Sequence, residues 1–212
     1  FLSTSQSPMN LFRAIATVGA MTMISRVLGF ARDILIAAMV GPGLIGDAFF
    51  VAFKIPNLFR RLFAEGAFAA GFVPIFSELS GDQGRDAARE FAAQALAVLV
   101  AVLVVLVALF EIAMPWLMMG LAPGFVGDAE KFDLVVTLTR ITFPYLLFIS
   151  VVSLLGGVLN SLGKFAAAAA TPILLNLALI GSLIGLADIL PTAGHALAWG
   201  VAGAGVLQLV WL

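Results

Sequence analysis

Four stretches of this sequence, 91–110, 141–163, 165–187 and 189–212, carry no Asp, Glu, Lys or Arg. Each holds about 20 residues or more, and a helix rising about 1.5 Å per residue crosses a hydrocarbon core of about 30 Å in that length. No other feature narrows the fold as far. Composition agrees: 62% of the 212 residues are apolar and 11% are charged, where soluble domains carry roughly 25% charged residues. The chain reads as an all-α integral membrane protein. Its 12 acids and 11 bases give a formal net charge of −1, so no overall basic field points to a nucleic acid. The lack of cysteine excludes disulfides, thiolate nucleophiles and cysteine-based metal sites. A single histidine, His195, excludes metal motifs of the HExxH type. No metal site is expected in this chain.

The first 80 residues are apolar but interrupted by charge. We read two further crossings there, separated by the turn signal Gly41-Pro42-Gly43. Six transmembrane helices follow, near 9–40, 45–77, 89–118, 131–158, 165–187 and 191–212. Lys and Arg in the short connections set the orientation. A cytoplasmic N-terminus places Arg13, Arg85, Arg89 and Lys164 inside and leaves only Lys131 beside an outer loop. Residues 1–8, ahead of Met9-Asn10, read as an upstream extension or an appended remnant. The last span runs to Trp211-Leu212 with no polar tail, as expected for the first part of a longer transporter-like protein.

Charges inside the first two crossings are the functional candidates. A central Arg costs roughly 2.5–3.5 kcal/mol on translocon scales, so Arg26 and Arg32 must face a polar cavity or a partner. At 100° per residue Arg26 and Asp33 fall about 20° apart, and Arg32 lies about 120° from Arg26. Gly29 is then a plausible bend that aims both arginines together. The alternative is an Arg26–Asp33 bridge with Arg32 reaching toward the interface. In the second crossing, Asp47, Lys54, Arg61 and Glu65 fall within about 40° of one another. They form a polar stripe expected to point into the bundle, with Arg61 and Glu65 paired at i,i+4. Pro56 should kink this element. Arg60, about 100° from Arg61, has no local carboxylate. Its planar fork suits phosphate oxygens, although Arg60 and Arg61 also fit simple anchoring at the cytoplasmic end. Arg140 is expected to pair with Asp133 or with headgroups. Asn160, Asn176 and Gln208 read as hydrogen-bonding glue between helices.

The run SRVLGFARD at 25–33 is followed by DAFFVAFKIPNLFRRLFAEGAF at 47–68 and FVPI at 72–75. APGF at 122–125, ITFPY at 141–145 and LLN at 174–176 come later. Together they closely resemble the N-terminal signature of the MurJ (MviN-type) lipid II flippases, within the multidrug/oligosaccharidyl-lipid/polysaccharide exporter superfamily. The resemblance implies fourteen transmembrane helices in two six-helix lobes plus two, of which residues 9–212 would be the N-terminal lobe, with the C-terminal lobe absent. It implies transbilayer flipping of lipid II, an undecaprenyl-pyrophosphate-linked muropeptide, from the cytoplasmic to the periplasmic leaflet of the bacterial inner membrane by alternating access. That is transport in peptidoglycan synthesis, not enzyme catalysis. By motif, Arg26, Arg32 and Arg60 would engage the pyrophosphate, while Asp33, Asp47, Lys54, Arg61 and Glu65 would support or gate, around hinges at Gly29 and Pro56. No cofactor is expected in this chain; the family implies a bias from membrane potential and an ion site in the missing lobe. Partners would be lipid II, membrane lipids and that lobe.

Three rivals are distinguishable. Another exporter of the superfamily would move a different polyprenyl-linked oligosaccharide or a drug, and a drug exporter calls for acidic rather than arginine-rich cavity positions. An intramembrane enzyme on lipid pyrophosphates needs a carboxylate cluster, for which only Asp33 and Asp47 are near. A scaffold would use its charges only to pair helices.

Overall fold

A computed structural model of the chain describes residues 8–64 and 67–212, with side chains described except at 8–11, 13–14, 59–60 and 62–69. The described residues form eight α-helices: α1 (Pro8–Met39), α2 (Leu44–Ala64), α3 (Ala67–Asp82), α4 (Arg85–Leu121), α5 (Ala129–Thr142), α6 (Tyr145–Ser161), α7 (Phe165–Leu186) and α8 (Ala193–Trp211). A single 3-10 turn, Pro123–Phe125, follows α4. Four spans among the described residues are long and apolar enough to cross a membrane: α4, α5 with α6, α7 and α8. Each contains or overlaps one of the four charge-free stretches, although α5 adds Glu130, Lys131, Asp133 and Arg140 ahead of the apolar part of its span.

Two of the six expected crossings each comprise two helices. The crossing expected at 45–77 is described as α2 and α3. The one expected at 131–158 is interrupted at Phe143-Pro144, between α5 and α6. Pro144 has no N–H to return to the carbonyl of Arg140, so the ladder breaks there and restarts at Tyr145. Local chemistry sets the other ends. Asp128 caps α5 by accepting from the N–H groups of Glu130 and Lys131 at 3.1 and 3.2 Å, and Thr192 caps α8 by accepting from His195 N–H at 3.3 Å. Gly41 turns the chain after α1 with φ +67°, a region costly to any residue with a Cβ.

α8 packs against α2, α5, α6 and α7. Its small residues make this possible: a Cβ at Gly205 would lie 2.8 Å from Phe148 Cβ and 2.9 Å from Tyr145 Cδ2, and one at Gly200 would overlap Ser182. Helices in lipid gain no hydrophobic drive from pairing, so close approach at small residues supplies the attraction instead. α1 packs on α7, α2 on α5, α6 and α8, and α3 on α4 and α6.

Prolines within helices leave carbonyls without their usual donor, and three of these carbonyls have side-chain donors. Pro56 in α2 frees Ala52 O, which lies 3.2 Å from the hydroxyl of the fully buried Thr142. Pro115 in α4 frees Glu111 O, which accepts from Arg140 Nε at 3.3 Å. Pro172 in α7 frees Ala168 O, which accepts from Thr171 Oγ1 at 2.8 Å. In lipid no water can take this role, so such repair by Ser, Thr or a neighbouring helix is what permits prolines there. The Arg140 contact replaces the Asp133 pairing expected from sequence: α5 lies beside α4 and presents the guanidinium to a carbonyl that already lacks a donor.

Candidate functional site

The charged residues of α1 divide between two faces. Ser25, Gly29, Arg32 and Ile36 fall within about 60° of one another at helical spacing and form the face that meets α7. Asn176 of α7, 5% exposed, is their counterpart. Its Oδ1 accepts from Arg32 Nη1 at 2.8 Å, and its Nδ2 donates to Ser25 O at 2.9 Å. The amide thus uses both ends, bonding a charged side chain and a backbone carbonyl that belong to residues about two turns apart on α1. Arg32 also donates from Nε and Nη2 to Asp33 Oδ1 at 2.9 and 2.7 Å. Its side chain is 23% exposed and that of Asp33 is 64% exposed.

Arg26 stands about 100° from the α7-facing row and is exposed. It has no side-chain hydrogen bond or ion pair among the described residues. The Arg26–Asp33 bridge that sequence allowed is therefore not formed; Asp33 neutralises its chain neighbour Arg32 instead. The reason is reach: a guanidinium folded back on the next residue needs no helical register, whereas a pair seven residues apart must span about 10 Å of rise. Gly29, where a bend was expected, lies within a continuous helix. α1 is one unbroken helix from Pro8 to Met39, and Gly29 lies against Asn176, with a hypothetical Cβ 3.6 Å from Nδ2.

On α2 the polar stripe is present but points the other way from the expectation. Ala48, Phe49, Ala52, Ile55 and Pro56 are buried, while Asp47, Lys54 and Arg61 are exposed. The two sets are centred about 160° apart on an ideal helix. Within this chain the charges face away from the packed bundle because the apolar face is already committed to α5, α6 and α8. The side chain of Arg60, and Glu65 with its expected pairing to Arg61, lie outside the described residues.

Two kinds of exposed surface result. On α4, Val98, Val102, Val105 and Leu109 are exposed with no charge among them, as suits acyl chains. On α1 and α2, exposed Phe30, Ile34, Phe50 and Leu58 alternate with the charges. The charges with described side chains there are Arg26, Arg32 and Asp33 on α1 and Asp47, Lys54 and Arg61 on α2, four bases against two acids. The structure brings together Arg32, Asp33, Asn176, Ser25 and Gly29; the side chains of Arg26, Asp47 and Lys54 bond to none of them. Among the described residues no group of three or more His, Cys, Asp and Glu is placed to hold a metal. Sequence reading classed Asn176 as helix glue, and its grip on Arg32 was not foreseen. A polar residue amid LLN, with no polar neighbour in the chain, was the available signal.

The sequence profile described as lipid II flippase MurJ matches residues 36–212. The chain belongs to the MurJ family. It is 48% identical over 206 residues to the "Probable lipid II flippase MurJ" of Rhizobium tropici, covering 95% of this chain and 38% of that protein. It is 46% identical over 202 residues to the lipid II flippase MurJ of Burkholderia cenocepacia, covering 95% and 39%. A solved structure, the lipid II flippase MurJ in an inward closed conformation, superposes with a TM-score of 0.75 at 28% identity, over 91% of this chain and 40% of that one. The chain thus spans about two fifths of the length of these MurJ relatives. Membership makes it a multi-pass protein of the bacterial inner membrane, in a family of transporters.

Proposed function

We propose that this chain supplies one half of a lipid II flippase, in which a cationic surface on α1 and α2 holds the lipid-linked diphosphate while the bundle tilts against the rest of the protein. The observation that carries the reading is Arg26: a guanidinium on a bilayer-length helix, exposed and without a partner in the described residues. A permanently charged group at that depth is costly facing lipid, so its exposed side belongs to an aqueous cleft or an anion. A diphosphate matches the guanidinium bidentately. The excess of bases over acids on α1 and α2 attracts it, and the apolar side chains between the charges suit the polyprenyl end.

In this reading Arg26 binds the diphosphate directly. Arg32 is held in reserve by Asp33 and Asn176 and exchanges part of that shell for phosphate oxygens; Arg60 contributes from α2. Asp47, Lys54, Arg61 and Glu65 tune the cleft. Transport runs from the cytoplasmic to the periplasmic leaflet, the N-terminus is cytoplasmic, and the second half of the cleft comes from the remainder of a MurJ-length protein. Alternating access needs no covalent step. Each charge moved across 100 mV is worth about 2.3 kcal/mol, so membrane potential can bias the cycle.

The test is a leaflet-accessibility assay of lipid II in cells or proteoliposomes carrying the full-length protein. Arg26→Ala should abolish translocation with insertion and abundance unchanged, and Arg26→Lys should retain part of it. Wild-type flipping by Arg26→Ala overturns the assignment.

A further inference from the structure

Away from the α1–α2 surface, a second cationic site is built where two connections meet. A pocket of about 410 Å³ is lined by Phe76 and Ser80 of α3, Arg85, Ala88, Arg89 and Ala92 of α4, Val158 of α6, and Leu162 and Lys164 of the α6–α7 turn. On α4, Arg85, Ala88, Arg89 and Ala92 recur at i, i+3, i+4 and i+7 and share one face. Asp86 and Glu90 lie about 100° further round that helix, outside the pocket lining, and on α3 Glu78 and Asp82 are turned away from the row of Phe76 and Ser80. Lys164 is directed by a helix stop: its N–H donates to Leu159 O at 2.8 Å and that of Gly163 to Asn160 O at 3.0 Å, with Gly163 at φ +75°. Arg85, Arg89 and Lys164 each lack a hydrogen-bonded or ionic side-chain partner among the described residues.

Three cations around one pocket repel one another unless an anion joins them. The pocket floor is apolar, with Phe76 and Ala88 buried. The level in the membrane is also informative. The charge-free run of α4 begins at Phe91, two residues past Arg89, and that of α7 begins at Phe165, next to Lys164. The cations therefore sit at the border of hydrocarbon, their heads toward water and the pocket floor toward the acyl region. A ligand with a negative head and an apolar body, at that depth, is a lipid of the bilayer itself.

We propose that Arg85, Arg89 and Lys164 form a binding site for the phosphate headgroup of an anionic glycerophospholipid, whose upper acyl segments lie over Phe76, Ala88, Ala92 and Val158. The site is separate from the proposed diphosphate surface and does not depend on it. It pins the α3–α4 connection to the α6–α7 turn, so lipid composition tunes how firmly the two ends are held.

The experiment uses the full-length protein in phosphatidylcholine vesicles containing spin-labelled phosphatidylglycerol or spin-labelled phosphatidylcholine. The protein-bound fraction of each label is read by electron paramagnetic resonance. Wild type should favour phosphatidylglycerol. Near a membrane surface each basic residue contributes about fivefold, so the triple variant R85Q/R89Q/K164Q should lose a preference of up to about 100-fold at this site. R85K/R89K should keep it, and K131Q, at the other end of the bundle, should leave it unchanged. The exposed single variant K164Q covers the case in which the triple variant does not fold. Unchanged preference in either folded variant overturns the proposal. So does full displacement of the bound label by millimolar inorganic phosphate, which would identify a free-phosphate site.

Discussion

Thr142 offers the sharpest test of how the bundle tolerates its prolines. The residue is fully buried, and its hydroxyl lies 3.2 Å from Ala52 O and 3.1 Å from Thr139 O. Its single proton can serve one of them well. Ala52 O is the carbonyl deprived by Pro56, whereas Thr139 O accepts from Phe143 N–H at 2.8 Å. The proton therefore has more to gain at Ala52. Thr142→Val keeps shape and volume, so no cavity term enters, and the cost is that of a buried carbonyl left unsatisfied. That is about 1–3 kcal/mol in protein interiors, while hydrogen bonds between membrane helices average about 0.6 and reach about 1.7 kcal/mol. We expect about 1–1.5 kcal/mol, toward the upper membrane value, because Pro56 removes the competing donor. The decisive comparison is a double-mutant cycle with Pro56→Ala. Alanine restores the N–H that Ala52 O lacks, so Thr142→Val in that background should cost under about 0.5 kcal/mol, giving a coupling of about 1 kcal/mol. Reversible unfolding in mixed micelles, followed by tryptophan fluorescence, measures all four corners. Equal costs of Thr142→Val in the two backgrounds would refute the repair argument. Pro56 lies between Lys54 and Arg61, so if the proposed function holds the same variant in the full-length protein should also slow lipid II translocation by misaligning the stripe beyond the proline.

Asn176→Ala removes the acceptor of Arg32 and the donor to Ser25 O; it should cost about 1.5 kcal/mol, the low end for a hydrogen bond to a charged group because Arg32 is partly exposed. Micelle unfolding reads that loss, and an unchanged midpoint would remove Asn176 as the α1–α7 clasp. Gly205→Ala forces a Cβ within 2.9 Å of Phe148 and Tyr145 and should destabilise by about 1–3 kcal/mol. Gly203→Ala, with nothing within 4 Å of its Cβ, should instead be neutral or stabilising by up to about 1 kcal/mol. Equal effects at the two glycines would contradict the close packing of α8 at Gly205.

Much of the membrane fold was legible before any coordinates, because hydrocarbon imposes a one-dimensional rule that a sequence states openly. A run without charge, long enough to span, becomes a helix: 165–187 and 189–212 did so almost within their bounds, and 91–110 lies inside the longer α4, which extends past both flanking charges from Arg85 to Leu121. The break at Phe143-Pro144 was carried by a proline but was read through as one crossing. The spacing of Asp47, Lys54 and Arg61 correctly put them on one face of α2.

Which way that face points was not a property of the spacing. Helical periodicity gives angles within a helix and says nothing of which neighbour occupies each side. Only packing decided that the apolar side of α2 meets α5, α6 and α8, leaving its charges on the outside. The partner of Arg32 was equally nonlocal: Asn176 lies 144 positions away, and competition among Asp33, Asn176 and Arg26 is settled by three-dimensional reach. The donors for the proline-freed carbonyls of α2 and α4 likewise come from α5, since a prolyl ring announces a missing N–H in the sequence but only a neighbouring helix can replace it.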